Sequence, residues 1–146
     1  FDGDYILRKV FAMILKENLK KYKGYDFVLI PLSPERYATR GFNQVAGLIE
    51  ATGLSYERLL EKREEKASSS KTRSERLATE LPFFIKDGAT VPKKILLIDD
   101  IYTTGVTLNR VKKLLENAGA KDVKTFSLVR WGKRLQKDYE SVIIYI

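Results

Sequence analysis

Two adjacent carboxylates, Asp99 and Asp100, are the residues whose types and spacing define a chemistry most clearly. They follow an apolar run at residues 95–98 and precede a hydroxyl-rich turn at residues 103–105. A short apolar run bounded by turn signals is typical of a buried parallel strand. Ligands of open α/β sheets bind beyond the carboxyl ends of such strands. We therefore expect a strand at 95–98, a polar loop that starts at the acidic pair, and a ligand site at this edge.

The turn after the acidic pair has the composition of a phosphate-binding loop. The first turn of a helix has unpaired N–H groups and a partial positive charge, both of which favour an anion. The Gly-Lys-Ser/Thr ending of nucleoside triphosphate loops is absent, so the loop fits a single phosphate better. The glycine allows close approach of the backbone, and the threonine hydroxyls add donors. The predicted cradle comprises Thr103, Thr104, Gly105, Val106 and Thr107.

The acidic pair would repel a phosphate, so it must bind another part of the ligand. An ionised carboxylate accepts hydrogen bonds and donates none, which matches the two hydroxyls of a vicinal diol. Cradle and acidic pair together predict a pentose 5-phosphate, with its phosphate on the amides and its hydroxyls on Asp99 and Asp100. The alternative interpretation is a Mg²⁺ or phosphoacceptor site at a strand end.

Composition limits the chemistry and the organisation of the chain. Its 146 residues with 44% hydrophobic content suit one domain. The chain has no cysteine and no histidine, so disulfides, the usual zinc ligands and the commonest general base are absent. Any catalysis must use carboxylates, hydroxyls, cations or a metal. With no apolar run near the ~20 residues that span a bilayer, and no signal-peptide pattern at the start, we expect a cytoplasmic protein without a membrane span.

A formal net charge of +8 favours polyanionic partners, namely nucleic acid, an acidic membrane or a phosphate-rich small substrate. Solubility alone is the competing explanation. Proteins that bind nucleic acid place aromatic residues among basic ones, and Tyr37 and Trp131 are the nearest such cases, although Trp131 would equally pack in a core. The basic residues around Trp131 favour a solvated face over a DNA patch: Arg130, Lys133, Arg134 and Lys137.

Hydrophobic periodicity predicts alternating strands and helices, and hence a parallel β-sheet flanked by helices. Residues 61–80 are almost free of apolar side chains, which favours either a lid or binding loop or a solvated segment without a role. The predicted helices are 5–20, 42–52 and 108–118, and the predicted strands are 25–32, 95–98, 123–129 and 139–146.

The run ILLIDDIYTTGVTL at residues 95–108 resembles the phosphoribosyl pyrophosphate binding signature of type I phosphoribosyltransferases. A second stretch, Pro31-Leu32-Ser33 followed by Arg36 and by RGFNQ at 40–44, resembles the competence-associated ComF family within that group. The resemblance implies an α/β fold of the type I phosphoribosyltransferase class over residues 1–146. It also implies an N-terminal zinc-binding segment, common in this family, that these residues do not contain.

The resemblance also implies roles for individual residues. Leu32 and Ser33 would form a pyrophosphate-binding loop, and Arg36 and Arg40 would neutralise pyrophosphate, unless the two arginines are a surface pair. Asn43 and Gln44 would either bind ligand or cap and pack the next helix. The polar stretch matches the flexible catalytic loop of these enzymes, with Lys71, Arg73 and Arg76 as residues that contact pyrophosphate, unless they are solvated charges. The implied catalytic residues are Asp99, Asp100 and Arg73, and the substrate site further includes Ile101 and Tyr102.

Two functions follow from this resemblance. One is an active phosphoribosyltransferase that binds phosphoribosyl pyrophosphate with Mg²⁺, held mainly through the ligand near the acidic pair, and transfers the phosphoribosyl group to a nitrogen nucleophile. The other is a non-enzymatic accessory protein of DNA uptake that binds single-stranded DNA or competence proteins. The sequence leaves the nucleophile open, and also whether the protein is a homodimer.

Overall fold

The structure, a computed structural model, describes residues 2–31, 44–63, 82–102 and 106–130. Over these residues helices and strands alternate along most of the chain. The elements in chain order are α1 (Asp2–Leu19), a 3₁₀ turn (Lys20–Tyr22), β1 (Asp26–Leu29), α2 (Gln44–Ala51), β2 (Leu60–Lys62), β3 (Phe83–Ile85), β4 (Lys94–Tyr102), α3 (Val106–Asn117) and β5 (Asp122–Arg130).

The main sheet is parallel and has β4 at its centre, with strand order β1-β4-β5. Asp26 of β1 is in register with Ile95, and Lys94 is in register with Asp122 of β5. The pairing with β1 continues past the strand, since the Ile30 N–H donates to the Ile98 carbonyl at 3.0 Å. The predicted parallel sheet flanked by helices is confirmed.

Helices or strands cover both faces of this sheet, and β4 supplies side chains to both. Leu96 and Ile98 belong to a core that α1 and α2 cover, whereas Ile95 and Leu97 belong to a second core under α3 and the β2–β3 pair. All four side chains are 0% exposed. The continuous apolar run therefore reflects burial on both faces, as expected of a central parallel strand.

Helix α3 shows why the sequence pattern predicted the helices well. Leu108, Val111 and Leu115 recur at helical spacing and are fully buried against the sheet. The helix ends where Gly119 adopts φ +115°, a conformation that residues with a Cβ rarely adopt. The Ala120 N–H then donates to the Leu115 carbonyl at 3.0 Å and closes the last turn.

The short antiparallel pair of β2 and β3 is an element that the sequence pattern missed. Leu60 pairs with Ile85 and Lys62 with Phe83, and the Arg63 N–H donates to the Pro82 carbonyl at 2.7 Å. Three-residue strands are too short to show a periodicity, and this pairing joins the start of the polar segment to residues that follow it. The pair buries Leu60 and Phe83 in the core under α3.

Strand β4 is longer than predicted, because it continues through Asp99 and Asp100 to Tyr102 instead of ending at Ile98. Its neighbour β5 reaches Arg130, and the backbone ladder extends as far as the pairing of Tyr102 with Arg130. Backbone pairing therefore keeps these residues in the strand after the apolar run has ended. The predicted strand at 139–146 and residues 64–80 of the polar segment lie outside the described residues.

The helices were also compared with the length and hydropathy that a bilayer requires. Within the described ranges, none of them combines enough length with enough apolar character to cross a membrane.

Candidate functional site

Asp99 lies near the carboxyl end of β4, on the face of the sheet that α3 covers. Side chains alternate along a strand, so Asp99 shares a face with Leu97, which packs under α3. Its side chain is half-buried, and its cross-strand neighbour on β5 is Ser127, which is 3% exposed. Asp99 is thus at the border between the core and the ligand edge predicted from the sequence. Asp100, Ile101 and Tyr102 follow it in the backbone of β4.

The amino terminus of α3 lies at the same edge. Only three residues, 103–105, separate the end of β4 from the first helical residue, Val106. Because α3 packs on the face that holds Leu97, the partial positive charge of its amino terminus lies on the side of the sheet where Asp99 lies. Val106 and Thr107 are both exposed in this first turn, as an anion site requires. The other cradle residues, Thr103, Thr104 and Gly105, lie outside the described residues.

A third segment leaves the sheet at this edge. In a parallel sheet the carboxyl ends of all strands meet at one edge, and the bond between Ile30 and Ile98 brings the chain after β1 level with the end of the apolar run. Pro31 follows directly. The predicted pyrophosphate-binding residues continue from this point in sequence. These residues lie outside the described residues: Leu32, Ser33, Arg36 and Arg40. The loop residues Lys71, Arg73 and Arg76 also lie outside them.

The donor set at this edge fits a magnesium ion that is bound largely by its ligand. Among the described residues no three acidic, histidine or cysteine side chains group together as a metal cage would require. Mg²⁺ keeps several waters and is commonly bound by one or two carboxylates together with substrate phosphates. Asp99, half-buried at the edge where α3 begins, is a carboxylate of that kind.

The opposite edge of the sheet has a different chemistry. There Tyr25 donates a hydrogen bond to Asp122, and the ammonium groups of Lys94 and Lys124 lie 5.3 and 5.5 Å from its ring centroid. The hydrogen bond to Asp122, and then desolvation, raise the pKa of Tyr25. Exposed lysines surround this point at the amino ends of the strands. We call them the lysine edge: Lys20, Lys21, Lys23, Lys93, Lys94 and Lys121.

Two features of this arrangement escaped the sequence analysis. The lysines are scattered in the sequence. They cluster in the structure because each group flanks the start of a different parallel strand. Ser127 was overlooked because its relation to Asp99 depends on the register between β4 and β5. The sequence did contain an indication of its role, because Ser127 is a small polar residue at a core-facing position of a predicted strand.

Residues 34–146 match the phosphoribosyl transferase domain family. Since this match covers more than half of the chain and agrees with the parallel sheet and its acidic strand end, the chain belongs to that family. Within the family it is a ComF-type domain. It is 79% identical over 130 residues to the competence protein ComFC of Streptococcus pneumoniae and 37% identical over 134 residues to ComFC of Bacillus subtilis.

The chain spans less than two thirds of these relatives. Each alignment covers 89% of the chain, but only 59% of the pneumococcal protein and 56% of the Bacillus protein. The matched region is therefore one part of each longer relative.

Solved structures of phosphoribosyltransferases share the fold. The hypoxanthine phosphoribosyltransferase of Trypanosoma cruzi in complex with IMP aligns with a TM-score of 0.57 at 17% identity, over 95% of this chain and 71% of that one. A purine phosphoribosyltransferase from Pyrococcus horikoshii aligns with a TM-score of 0.54 at 21% identity, over 97% and 89%. The type I phosphoribosyltransferase fold predicted from the sequence is confirmed.

Proposed function

We propose that the carboxyl edge of the sheet binds phosphoribosyl pyrophosphate with Mg²⁺, and that the domain transfers the phosphoribosyl group to a nitrogen nucleophile. The observation that carries the proposal is the position of Asp99 on the same face and at the same edge as the amino terminus of α3. An acceptor of hydroxyl hydrogen bonds beside an anion-binding helix terminus matches the two ends of a ribose 5-phosphate.

Each part of the ligand has a counterpart in the chain. The N–H groups of the first turn of α3, together with Thr103, Thr104 and Gly105, bind the 5-phosphate. Asp99 and Asp100 accept hydrogen bonds from the ribose hydroxyls. Leu32 and Ser33 offer backbone amides to the pyrophosphate, and the cations that neutralise it are Arg36, Arg40, Lys71 and Arg73.

The proposed reaction breaks the bond between the anomeric carbon and the pyrophosphate oxygen and forms a carbon–nitrogen bond. Pyrophosphate leaves with the bonding electrons, and the nucleophile loses a proton to the leaving pyrophosphate or to water. When bound, Mg²⁺ neutralises charge on the leaving pyrophosphate. The acidic pair and Arg73 contribute by holding the ribose and the pyrophosphate and by stabilising charge, so the absence of histidine from the chain is no obstacle.

Isothermal titration calorimetry with phosphoribosyl pyrophosphate tests the proposal directly. We expect saturable binding in the presence of Mg²⁺, and binding about tenfold weaker or more when EDTA replaces the metal, because uncompensated phosphate charge then faces the acidic pair. Ribose 5-phosphate, which lacks the pyrophosphate, serves as the control and should bind more weakly. Absence of heat with Mg²⁺ present would refute the proposal. Release of pyrophosphate with a panel of nucleobases then tests transfer.

A second candidate function is binding of single-stranded DNA, for which the lysine edge is the specific observation. Its six exposed lysines lie at the end of the sheet opposite to the proposed phosphoribosyl pyrophosphate site, and two relatives are named competence proteins. Lysines that contact phosphates release counterions when DNA binds, so affinity falls as salt concentration rises. Three acidic residues reduce this charge without cancelling it: Asp26 and Asp122 at the same edge, and Glu17, which forms a 2.8 Å ion pair with Lys20.

The salt dependence of oligonucleotide affinity measures this second function. We expect a log-log slope of about −0.7 per phosphate contact, and a shallower slope in the variant Lys93→Gln/Lys94→Gln/Lys121→Gln. Lys113→Gln, an exposed substitution on α3, is the control and should leave the slope unchanged. A slope near zero for the unmodified protein would remove DNA binding as a function of this domain.

A further inference from the structure

A pocket opens at the amino edge of the sheet, where α1, the 3₁₀ turn, the start of β1 and residues 54–57 meet. Its volume is about 480 Å³, and ligand sites for small molecules commonly have volumes in this range. We call it the amino-edge pocket. Its apolar and aromatic lining combines three buried side chains with three half-buried ones: Leu19, Tyr22 and Phe27, and Tyr25, Leu54 and Tyr56.

The two half-buried tyrosines of this pocket are held in place by their hydroxyl groups. Tyr25 donates a hydrogen bond to Asp122 of β5, and Tyr56 donates one to Glu50 of α2 at 2.7 Å. Each bond engages the end of the side chain and leaves the ring in the lining of the pocket. A ring that is ordered before a ligand arrives loses little conformational entropy when the ligand binds.

The lysines of the pocket come from α1 and from the turn that follows it. Lys16, Lys20 and Lys23 line the pocket, and all three are exposed. Lys20 forms a 2.8 Å ion pair with Glu17. Lys16 and Lys23 form no ion pair with any of the described residues. These two ammonium groups are therefore the cations that an anionic ligand would meet.

Two carboxylates of the pocket come from a different part of the fold. Asp26 lies at the start of β1, and Glu57 lies beside the same strand, because its N–H donates to the Phe27 carbonyl at 2.7 Å. Both side chains are exposed. The two carboxylates balance the charge of Lys16 and Lys23, so the pocket is not a general anion site. It offers hydrogen-bond acceptors from β1 and its neighbour, and cations from α1 and the turn.

This lining matches a ligand with three features, namely a flat ring, an anion and a hydrogen-bond donor. Tyrosine rings stack on nucleobases, whatever the base. Ammonium groups bind phosphate, and carboxylates accept hydrogen bonds from N–H groups such as the exocyclic amino group of cytosine. A nucleotide whose base carries an exocyclic amino group has all three features.

Other classes of ligand match only part of the lining. A sugar phosphate or inorganic phosphate has no ring to cover Tyr25 and Tyr56. An apolar side chain of a peptide has neither a donor for the carboxylates nor an anion for the lysines. A cationic aromatic ligand would meet Lys16 and Lys23, and like charges repel.

We propose that the amino-edge pocket binds a nucleotide whose base carries an exocyclic amino group. The base stacks beside Tyr25 and Tyr56, its amino group donates to Asp26 or Glu57, and its phosphate contacts the two unpaired lysines of the pocket. The nucleotide is either free or one unit of a single strand.

The pocket differs in its dependence on the two functions proposed above. It lies at the edge of the sheet opposite to the phosphoribosyl pyrophosphate site and does not depend on it. Lys20 and Lys23 belong to the lysine edge as well as to the pocket, so binding of a strand in the pocket rests on the proposed binding of single-stranded DNA. Binding of a free nucleotide does not.

Quenching of 2-aminopurine fluorescence tests the stacking. The probe is a deoxyuridine decamer with one central 2-aminopurine, whose fluorescence falls when the base stacks on an aromatic ring. We expect the protein to quench the probe, and Tyr56→Leu to weaken binding about tenfold and to remove the quenching. Tyr56→Phe loses the hydrogen bond to Glu50 but keeps the ring, so it should quench as the unmodified protein does.

Phe84→Leu is the matched control for the loss of the tyrosine ring. Phe84 is half-buried on β3 and has the Arg63 guanidinium 6.0 Å from its ring centroid, much as Tyr56 has Arg58 at 5.8 Å. It does not line the pocket. Phe84→Leu should therefore bind and quench the probe normally, and circular dichroism should show that both leucine variants remain folded.

A comparison of cytidine and uridine ligands tests the carboxylates, because the two bases differ in an amino group or a carbonyl at ring position 4. We expect CMP and a deoxycytidine decamer to bind about tenfold more tightly than UMP and a deoxyuridine decamer. Asp26→Asn/Glu57→Gln should reduce this ratio, since neutral acceptors form weaker hydrogen bonds. Lys16→Gln/Lys23→Gln should weaken CMP and UMP to the same extent.

The outcomes separate the pocket from the binding of DNA. A decamer that binds about tenfold or more tightly than CMP would identify the strand as the ligand, and CMP that binds as tightly would identify the free nucleotide. Decamer binding without quenching, and unchanged in Tyr56→Leu, would overturn the pocket while DNA binding at the lysine edge stands. Equal affinity for cytidine and uridine ligands would also overturn the proposal, and so would the absence of binding by both decamers and both mononucleotides.

Discussion

Asp99→Asn is expected to weaken binding of phosphoribosyl pyrophosphate about 10- to 100-fold. The substitution keeps the shape of the side chain but removes the charge that strengthens hydrogen bonds from the ribose hydroxyls, and hydrogen bonds to charged groups contribute about 1.5–3 kcal/mol. Asp100→Asn is expected to have a similar effect, and the double variant should abolish detectable binding. Calorimetric titration with Mg²⁺ present measures both affinities on the same scale.

The same substitution at a distant carboxylate serves as the control. Asp87 is exposed in the turn after β3, and Asp87→Asn should bind the ligand as the unmodified protein does. Ser127→Ala tests the buried neighbour of Asp99 separately. If Asp99→Asn bound with unchanged affinity while remaining folded, the assignment of the ribose hydroxyls to this residue would be wrong.

Phe126→Ala is expected to lower the free energy of unfolding by about 3–5 kcal/mol, the range typical of a large aromatic residue removed from a core. Phe126 is 0% exposed on β5, lies in the core that α1 and α2 cover, and meets the ring of Tyr22 edge to face at 6.3 Å. Because whole domains are stable by only about 5–15 kcal/mol, this loss is a large fraction of the total, and the variant should unfold at a clearly lower urea concentration. Urea denaturation followed by circular dichroism measures the change.

An exposed apolar residue serves as the control for this loss of stability. Met13 is 71% exposed on α1, and Met13→Ala should change the free energy of unfolding by no more than about 0.5 kcal/mol. A loss of less than about 1 kcal/mol for Phe126→Ala would mean that the core around β5 relaxes to fill the cavity, contrary to the packing described above.

The parts of the fold that the sequence predicted are those set by local pattern. The run at 95–98 is buried on both faces because each of its residues is apolar, and α3 follows from the helical spacing of Leu108, Val111 and Leu115. The β2–β3 pair was missed because its strands are three residues long and pair across the polar segment. The extension of β4 was missed because it depends on the length of a neighbouring strand.

The candidate site also has one part that the sequence pattern predicted and one part that depends on strand pairing. Asp99 and the first turn of α3 are close in sequence, so one contiguous motif was enough to predict that they lie together. Ser127 becomes a neighbour of Asp99 only through the register of β5, and the lysine edge forms only when three strands align. The spacing of residues in the sequence is enough to predict the first relation. The other two exist only after the strands have paired, so the sequence pattern does not show them.

The central position of β4 also has a consequence for the order in which the domain folds. Its pairing with β5 spans a single helix, α3, whereas its pairing with β1 must wait until α2, β2 and β3 have been made. Contacts between distant parts of a chain form slowly because the intervening loop must first be closed. During synthesis, α1 and β1 therefore leave the ribosome well before their partner strand and expose their apolar residues until β4 arrives.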